Sequence, residues 1–376
     1  MKFLLVSNTF KEVADSVEAS KIFSKYFKLN NISNIIEKPI SDGGDAFLNI
    51  CRNNFNLKTL TYKISKSYNE ELMQVAVAYD EKNHIIYIES AEVLGLKVIP
   101  IEKRKPSVIN SKGLGDLLNI FKNEVENEKL RIEKIYIGIG GTGTNDLALG
   151  ALSRFGLKLY DNEKELDIKP INYYKAIRID WKGQNLPFKI IPVVDVNNKL
   201  LGENGATLTF GKQKGAGDDE LQIIERGFMN IINILKQMGI VDSADNLSGA
   251  GGGLAAGLSI FFNAETKKAK DFIFEDLGID KFKNEVDYVI TGEGSFDAQS
   301  LMEKGCGIII NEFQDSVKKI FLVCGKIDAE VKAKLSKNVY CIELSRYFNS
   351  TEESINNFEK GIEFACNEIK EAINLN

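Results

Sequence analysis

The sequence predicts an α/β protein with two interleaved domains, and three observations lead to this fold class. The chain has 376 residues, which corresponds to two domains at roughly 100–200 residues each. Several short apolar runs are followed by glycine-rich turns and helical patterns, which predicts a Rossmann-like domain with a parallel sheet. Three further strand-like runs follow one another without a helix between them, which predicts a second, mixed α/β domain.

The strands of the Rossmann-like domain are predicted from apolar runs that suit a sheet buried on both faces. These runs cover residues 2–6, 35–40, 135–139, 288–291, 320–324 and 339–344. Apolar residues at helical spacing predict helices over residues 13–27, 114–128 and 354–373.

The mixed domain is predicted from strand-like runs at residues 57–65, 72–79 and 85–90, with a hairpin formed by 174–183 and 187–194. We therefore assign residues 1–56, 92–152 and 280–376 to the Rossmann-like domain. Residues 57–91 and 153–279 form the mixed domain.

Composition excludes several classes of protein. Lysine and arginine number 48 against 53 aspartate and glutamate, without a basic block, so nucleic acid is not an expected partner. Five cysteines without a C-x-x-C pair indicate reduced thiols, and no apolar segment reaches membrane-spanning length. We expect a cytoplasmic protein, monomeric or homodimeric. The single histidine, His84, is predicted to be a turn residue, which disfavours a Ser-His triad.

Two glycine-rich segments follow predicted strands, where an open α/β sheet binds ligands. Asp42, Gly43 and Gly44 form either an acceptor-binding turn or a plain turn with Asp42 as a helix cap. The segment 138–146 precedes a predicted helix at 147–155, so its N–H groups could cradle an anion. This segment also contains G-x-G-x-x-G, which alone is a weak dinucleotide fingerprint, with Asp161 near the offset of its ribose acid.

Three more segments carry candidate residues with open alternatives. Asp195 ends a strand, and the following stretch 205–215 resembles a P-loop but has the wrong spacing, so Lys214 binds phosphate or belongs to a solvated turn. The segment 248–257 suits phosphate binding or tight helix packing equally. Glu293 and Asp297, flanked by glycine at a strand end, indicate metal coordination or recognition of a substrate hydroxyl.

Taken in order, these segments resemble the bacterial-type glycerate kinase family. The resemblance is carried by Thr9-Phe10-Lys11, Asp42-Gly43-Gly44, Thr144-Asn145-Asp146, the stretch 200–215, and Thr291-Gly292-Glu293-Gly294 with Asp297 and Gln299-Ser300. It implies ATP and Mg²⁺, D-glycerate as the acceptor, a phosphoglycerate product, and an active site in the cleft between two α/β domains.

The resemblance also implies a role for each candidate residue. The expected catalytic residues are Asp195, Asp42 and Lys11. The nucleotide is expected at Gly140, Gly141, Gly143, Asn145, Lys214, Gly251 and Gly252. The acceptor is expected at Gly43, Gly44 and Lys304, and Mg²⁺ at Glu293 and Asp297.

Several positions depart from the family pattern. Asn8 stands where the family usually has aspartate, Glu12 where it has glycine, and Glu303 and Cys306 lie in a segment that usually continues with Gly-Lys. These departures keep one alternative open, a ligand-binding member with weakened catalysis. The glycine fingerprint keeps a second open, an NAD(P)-dependent oxidoreductase.

Overall fold

The computed structural model describes residues 1–10, 13–41, 43–44, 46–195, 198–301 and 305–373. The chain forms two compact units. The first unit comprises residues 1–42, 52–54 and 269–376, and the second comprises 43–51 and 55–268. The predicted site residues Lys11, Asp42 and Lys304 lie outside the described residues.

The strands, numbered along the chain, belong to three sheets. They are β1 Phe3–Ser7, β2 Ile35–Glu37, β3 Lys58–Ser65, β4 Leu72–Asp80, β5 Ile85–Glu89, β6 Lys134–Ile139, β7 Lys158–Asp161, β8 Lys164–Leu166, β9 Arg178–Asp180, β10 Lys189–Val194, β11 Lys267–Lys268, β12 Tyr288–Phe296, β13 Lys319–Ile327 and β14 Val339–Glu343.

The helices vary from single turns to five turns. They are α1 Ser16–Leu29, α2 Phe47–Asn54, α3 Ser90–Leu94, α4 Lys112–Glu126, α5 Leu149–Ser153, α6 Ala206–Phe210, α7 Asp218–Gln237, α8 Leu254–Phe262, α9 Ala269–Asp271, α10 Ala298–Leu301, α11 Gly305–Phe313, α12 Ala329–Lys332, α13 Thr351–Asn356 and α14 Phe358–Ala372. None of the helices in the described ranges is long and apolar enough to cross a membrane.

The first unit contains a parallel sheet in the order β14-β13-β12-β1-β2. Buried strand residues such as Leu5 of β1 and Phe321 of β13 pack with α1 and α14 in one core cluster. The helix α11 also packs on β12, β1 and β13. If the five strands of this sheet are numbered by their order along the chain, their order across the sheet is 2-1-3-4-5. The chain therefore passes from β1 to β2 on one side and later adds β12 on the other side of β1. The carboxyl ends of β1 and β12 therefore flank a topological switch point, where such sheets bind ligands.

The second unit contains a mixed sheet in the order β11-β10-β6-β5-β4-β3. The strands β5, β6, β10 and β11 are parallel, and β3 and β4 are antiparallel to their neighbours. Buried residues such as Ile88, Ile137 and Ile190 belong to its core. The carboxyl ends of β5, β6 and β10 meet at one edge, because parallel neighbours end on the same side.

A small antiparallel sheet, β8-β7-β9, also belongs to the second unit and packs in one core cluster with α7. Its pairing shows that the predicted hairpin of 174–183 with 187–194 is wrong. The strand β9 pairs with β7, whereas β10 pairs in parallel with β6 and β11. The run Ile190–Val194 is apolar at successive positions, which suits a central parallel strand better than a half-exposed hairpin.

The compact units differ from the predicted domain division. Residues 92–152 belong to the second unit, because β6 lies between β5 and β10 and pairs with both along its length. The first unit also resumes at residue 269, earlier than the predicted boundary at 280. The α/β class and the interleaving of the two parts along the chain are confirmed.

Candidate active site

Two polar side chains, the amide of Asn8 and the carboxylate of Glu293, lie at the switch point of the first unit. Asn8 follows β1, and its backbone N–H donates to the carbonyl of Gly292 at 2.9 Å. Its side-chain Nδ2 donates to Glu293 Oε2 over a long 3.4 Å, and both side chains are buried. The structure therefore places the predicted metal ligand Glu293 at the sheet edge where doubly wound folds bind ligands.

Gly305 packs directly on this pair at the start of α11. A Cβ atom added to Gly305 would lie 2.4 Å from Asn8 Nδ2 and 2.8 Å from Glu293 Oε2, closer than real contacts allow. Burial, and then the negative charge of Glu293, raise the pKa of the Cys306 and Cys324 thiols well above the ordinary value. These thiols stay protonated near neutral pH and are not nucleophiles in this state.

Asp297, the other predicted metal ligand, is separated from Glu293. The predicted strand ended at residue 291, but β12 continues through Phe296. Four residues of extended chain place the two Cα atoms about 13 Å apart, too far for both side chains to reach one small ion. Asp297 is exposed, and its Oδ1 accepts a hydrogen bond from Ser300 N at 3.0 Å. In the described ranges no three His, Cys, Asp or Glu residues are grouped to hold a metal.

The loops predicted to bind the acceptor meet the ends of β6 and β10 in the second unit. A Cβ atom on Gly140 would lie 2.4 Å from the Cα of Gly44, and one on Gly43 would lie 2.7 Å from the carbonyl of Val193. Asp195 is the first residue after β10 and is half-buried. The structure therefore brings Gly43, Gly44, Gly140 and Asp195 to one edge of the sheet.

Two N–H groups of the loop 140–143 donate hydrogen bonds to acceptors inside the protein. Gly140 N donates to Ser90 Oγ at 3.3 Å, and Gly143 N donates to the carbonyl of Leu94 at 2.8 Å. Gly141, in contrast, is exposed in the left-handed conformation at φ 62°. Of the predicted nucleotide loop, Gly141 is therefore the glycine that faces solvent.

The dinucleotide fingerprint does not have its required setting. Such a fingerprint needs a helix that starts within the glycine loop and points its N-terminus at a pyrophosphate. The predicted helix 147–155 is only α5, Leu149–Ser153, because Leu147 and Ala148 adopt left-handed φ values of 53° and 59°. Asp161 ends β7 in the separate antiparallel sheet, not the next parallel strand.

Asn145 and Asp146 are fully buried behind the loop. Asn145 Nδ2 donates to Thr207 Oγ1 at 3.3 Å. Asp146 Oδ2 accepts from the N and Oγ of Ser111 at 2.7 and 2.8 Å and from Gly150 N at 3.0 Å. Burial raises the pKa of Asp146, and these hydrogen bonds oppose that rise. This arrangement favours a supporting role for Asn145 over direct contact with a nucleotide.

Lys214 is buried in the same polar network, with 4% of its surface exposed. Its Nζ donates to the carbonyl of Thr144 at 2.7 Å and to Thr142 Oγ1 at 3.3 Å. Burial lowers the pKa of Lys214 to about 8, against the opposing pull of Asp146. The lysine thus holds the loop 142–146 from behind, whereas its neighbour Lys212 is exposed and pairs with Asp218 at 2.8 Å.

The glycines at 251–253 lie close against neighbouring parts of the second unit. Gly251, Gly252 and Gly253 are successive left-handed residues, with φ values of 67°, 68° and 80°. A Cβ atom on Gly252 would lie 2.4 Å from the carbonyl of Thr144, and Leu147 N donates to the carbonyl of Gly252 at 3.3 Å. Of the two interpretations left open by the sequence, this geometry favours the packing one.

Two residues at the end of β5, Glu89 and Ser90, also belong to this edge and were not predicted from the sequence. Ser90 Oγ donates to the carbonyl of Gly140 at 3.1 Å. Glu89 is 3% exposed and binds Lys97 Nζ at 2.9 Å and Leu48 N at 3.2 Å. A carboxylate directly after the apolar run 85–88 was the available signal, since polar residues at strand ends mark sites in parallel sheets.

The chain matches known proteins over nearly its whole length. A model of the glycerate kinase family matches residues 3–374. The glycerate kinase of Neisseria meningitidis serogroup B is 25% identical over 100% of this chain and 99% of its own. The glycerate 2-kinase of Escherichia coli K12 is 29% identical over 88% of this chain and 87% of its own.

A solved structure has the same fold. The crystal structure of a candidate glycerate kinase 2 from Salmonella typhimurium LT2 aligns with a TM-score of 0.79. The alignment covers 99% of this chain and 98% of that chain at 22% sequence identity. At this identity the likeness establishes the fold alone.

Proposed function

We propose that this chain transfers the γ-phosphoryl group of ATP to a hydroxyl group of glycerate, giving phosphoglycerate and ADP. The reason is that the chain belongs to the glycerate kinase family. The observation that carries the proposal is the family match over residues 3–374, which includes all the candidate loops. The resemblance predicted from the sequence is thereby confirmed. Phosphoryl transfer needs mainly positioned groups and stabilised charge, which these loops are suited to supply.

Asp195 is our candidate for the base. It follows β10 directly, at the sheet edge that also carries Gly43 and Gly44, the glycines predicted to bind the acceptor. Its carboxylate would orient the acceptor hydroxyl and accept its proton as the bond to phosphorus forms. Asp42 and Lys304 remain predictions for the same acceptor, since both lie outside the described residues.

We revise the nucleotide-binding set. Gly141 is our candidate for direct contact with phosphate oxygens, because its backbone is exposed at the end of β6. We assign a supporting role to Lys214, which donates to Thr142, and to Asn145, Gly251 and Gly252, which pack behind the loop. Gly140 and Gly143 donate their N–H groups to Ser90 and Leu94 inside the protein. Lys11, outside the described residues, remains the predicted cation that offsets developing negative charge.

Of the two predicted metal ligands, Glu293 and Asp297, Glu293 is our candidate for binding Mg²⁺. Magnesium takes oxygen ligands and is usually held by one or two carboxylates together with substrate phosphates. Glu293 would supply one such carboxylate at the switch point of the first unit, and the extended chain of β12 between Glu293 and Asp297 favours Glu293 alone as the direct ligand. When bound, the ion would supply positive charge that opposes the negative charge developing in phosphoryl transfer.

An ADP-release assay tests the proposal. Purified protein with ATP, Mg²⁺ and D-glycerate should release ADP in proportion to phosphoglycerate formed, and ³¹P NMR of the product gives the phosphorylated hydroxyl. ATP binding without ADP release, across glycerate and related short hydroxy acids, would show a ligand-binding protein instead. Calorimetry with NADH should show no binding, because the glycine fingerprint lacks its helix.

A further inference from the structure

We infer that Glu89 is a positioning residue that fixes the acceptor loop at Gly43 and Gly44 through the first turn of α2. The inference rests on the proposed function, in which this loop binds glycerate. Glu89 lies in a different part of the sequence from the loop, at the end of β5, and its side chain accepts a hydrogen bond from the backbone of Leu48, in the helix that follows the loop.

The N-cap residue of helix α2 supplies no side-chain cap hydrogen bond. This residue is Ala46, which has a left-handed φ of 65°. The first N–H groups of a helix have no partner within the helix and need one from outside. Leu48, the second helical residue, donates its N–H to Glu89 Oε2 at 3.2 Å. Glu89 thus supplies from another element the acceptor, and the negative charge, that a helix N-terminus favours.

The glycine loop ahead of α2 has little room to move. A Cβ atom on Gly138 would lie 2.5 Å from the Phe47 ring and 2.9 Å from the carbonyl of Gly43. A Cβ atom on Gly140 would lie 2.4 Å from the Cα of Gly44. The loop backbone and Phe47, the first residue of α2, therefore lie against the same end of β6, so we expect a shift at the start of α2 to be transmitted to the loop.

Glu89 itself is held firmly. It pairs in register with Gly138 of β6, and its Oε1 accepts from Lys97 Nζ at 2.9 Å. Lys97 also binds Glu92 at 2.5 Å. Burial alone would lower the pKa of Lys97, but its hydrogen bonds to Glu92 and Glu89 raise it above the ordinary value. Both carboxylate oxygens of Glu89 are occupied by donors, so the residue acts by holding the loop and not by transferring a proton.

The kinetic consequence is specific to the acceptor. A loop already held in its binding conformation loses less entropy when the ligand binds, so loosening it weakens acceptor binding. The exposed Gly141 lies between Gly140 and Gly143, whose N–H groups donate to Ser90 Oγ and to the carbonyl of Leu94 and not to α2. Disturbing Glu89 should therefore change the KM for glycerate far more than the KM for ATP.

Glu89→Gln tests this inference with Glu92→Gln as its matched control. Glutamine keeps the shape, but removes the charge and turns a donor toward either Leu48 N or Lys97 Nζ. We expect the KM for glycerate to rise roughly tenfold, as for the loss of one charge-assisted hydrogen bond, while the KM for ATP changes less than about twofold. Glu92 binds the same lysine from an exposed position, so Glu92→Gln should leave both KM values unchanged.

Hydrogen exchange gives a second readout that does not need turnover. The amides of residues 43–51 should exchange faster in Glu89→Gln than in the wild type, while those of α4 stay unchanged. If Glu89→Gln does not fold, Lys97→Met loosens Glu89 from the exposed side and should give the same pattern. Equal rises in both KM values, or unchanged exchange at Leu48, would overturn the inference. A wild type without glycerate turnover would refute the proposed function, and the exchange result would still decide the role of Glu89.

Discussion

Two glycine-rich loops of the second unit, 140–143 and 251–253, have similar sequences and opposite environments. Gly141 is exposed at the end of a parallel strand, where a phosphate could reach its backbone. Gly252 is buried, and its missing side chain makes room for the carbonyl of Thr144. Glycine in a loop therefore indicates close backbone approach, but only the tertiary structure shows whether the approaching group is a ligand or another loop.

The largest expected effect comes from Asp195, at the same sheet edge as the exposed loop 140–143. Asp195→Asn should reduce kcat by about 10²–10⁴, the usual contribution of a positioned acid or base. The KM for ATP should change little, because the residue is proposed to face the acceptor. Steady-state kinetics and a melting curve check the prediction. Full activity at a normal Tm would remove Asp195 from the mechanism and leave Asp42 as the candidate.

Replacing the buried glycine should act on stability. In Gly252→Ala a methyl group must fit where the carbonyl of Thr144 lies 2.4 Å away, at a φ of 68° that disfavours side chains. We expect the free energy of unfolding to fall by about 2–4 kcal/mol from overpacking and backbone strain. Urea denaturation measures the change. A variant with wild-type stability but a raised KM for ATP would reverse the assignment and make this loop the phosphate site.

Lys214 should make the free energy of unfolding depend on pH. Its pKa in the fold is about 8, below the ordinary 10.5, so between these values the unfolded chain binds more protons than the folded protein. The free energy of unfolding should therefore rise with pH across this window, by on the order of 3 kcal/mol in total from this group. Lys214→Met should lack that rise.

Denaturation midpoints at pH 7, 8, 9 and 10 separate this contribution from other titrating groups. The matched control is Lys212→Met, which removes an exposed lysine paired with Asp218 and should keep the wild-type slope. Identical pH slopes in all three proteins would mean that Lys214 is solvated and available to a phosphate, as first predicted from the sequence.

The smallest expected effect is at Gly141. Gly141→Ala should raise the KM for ATP roughly tenfold, because a methyl group at this position obstructs phosphate approach to the backbone. Its stability cost should stay near 1 kcal/mol, that of one left-handed alanine. Calorimetric titration with ATP checks the affinity, beside the same titration of Gly252→Ala. Unchanged ATP affinity in Gly141→Ala would leave loop 140–143 with a purely structural role.

Local pattern was enough to predict most elements of the parallel sheets. The apolar runs at 2–6, 135–139 and 339–344 correspond to β1, β6 and β14 with shifts of one residue at their ends. The predicted turn at His84 is confirmed between β4 and β5. The predicted helix 354–373 is broken after Asn356 into α13 and α14, and the predicted helix 147–155 is cut short by Leu147 and Ala148.

The sequence by itself determined the α/β class, the buried strands and the family, because each depends on residue types at fixed spacing along the chain. Tertiary structure alone decided which strands pair, and hence that residues 92–152 join the second unit. It also decided that Lys214 and Asn145 face the interior, that β12 separates Glu293 from Asp297, and that Glu89 caps a helix 41 residues away. Burial and pairing are contacts between distant parts of the chain, and the spacing of residues within one segment carries no record of them.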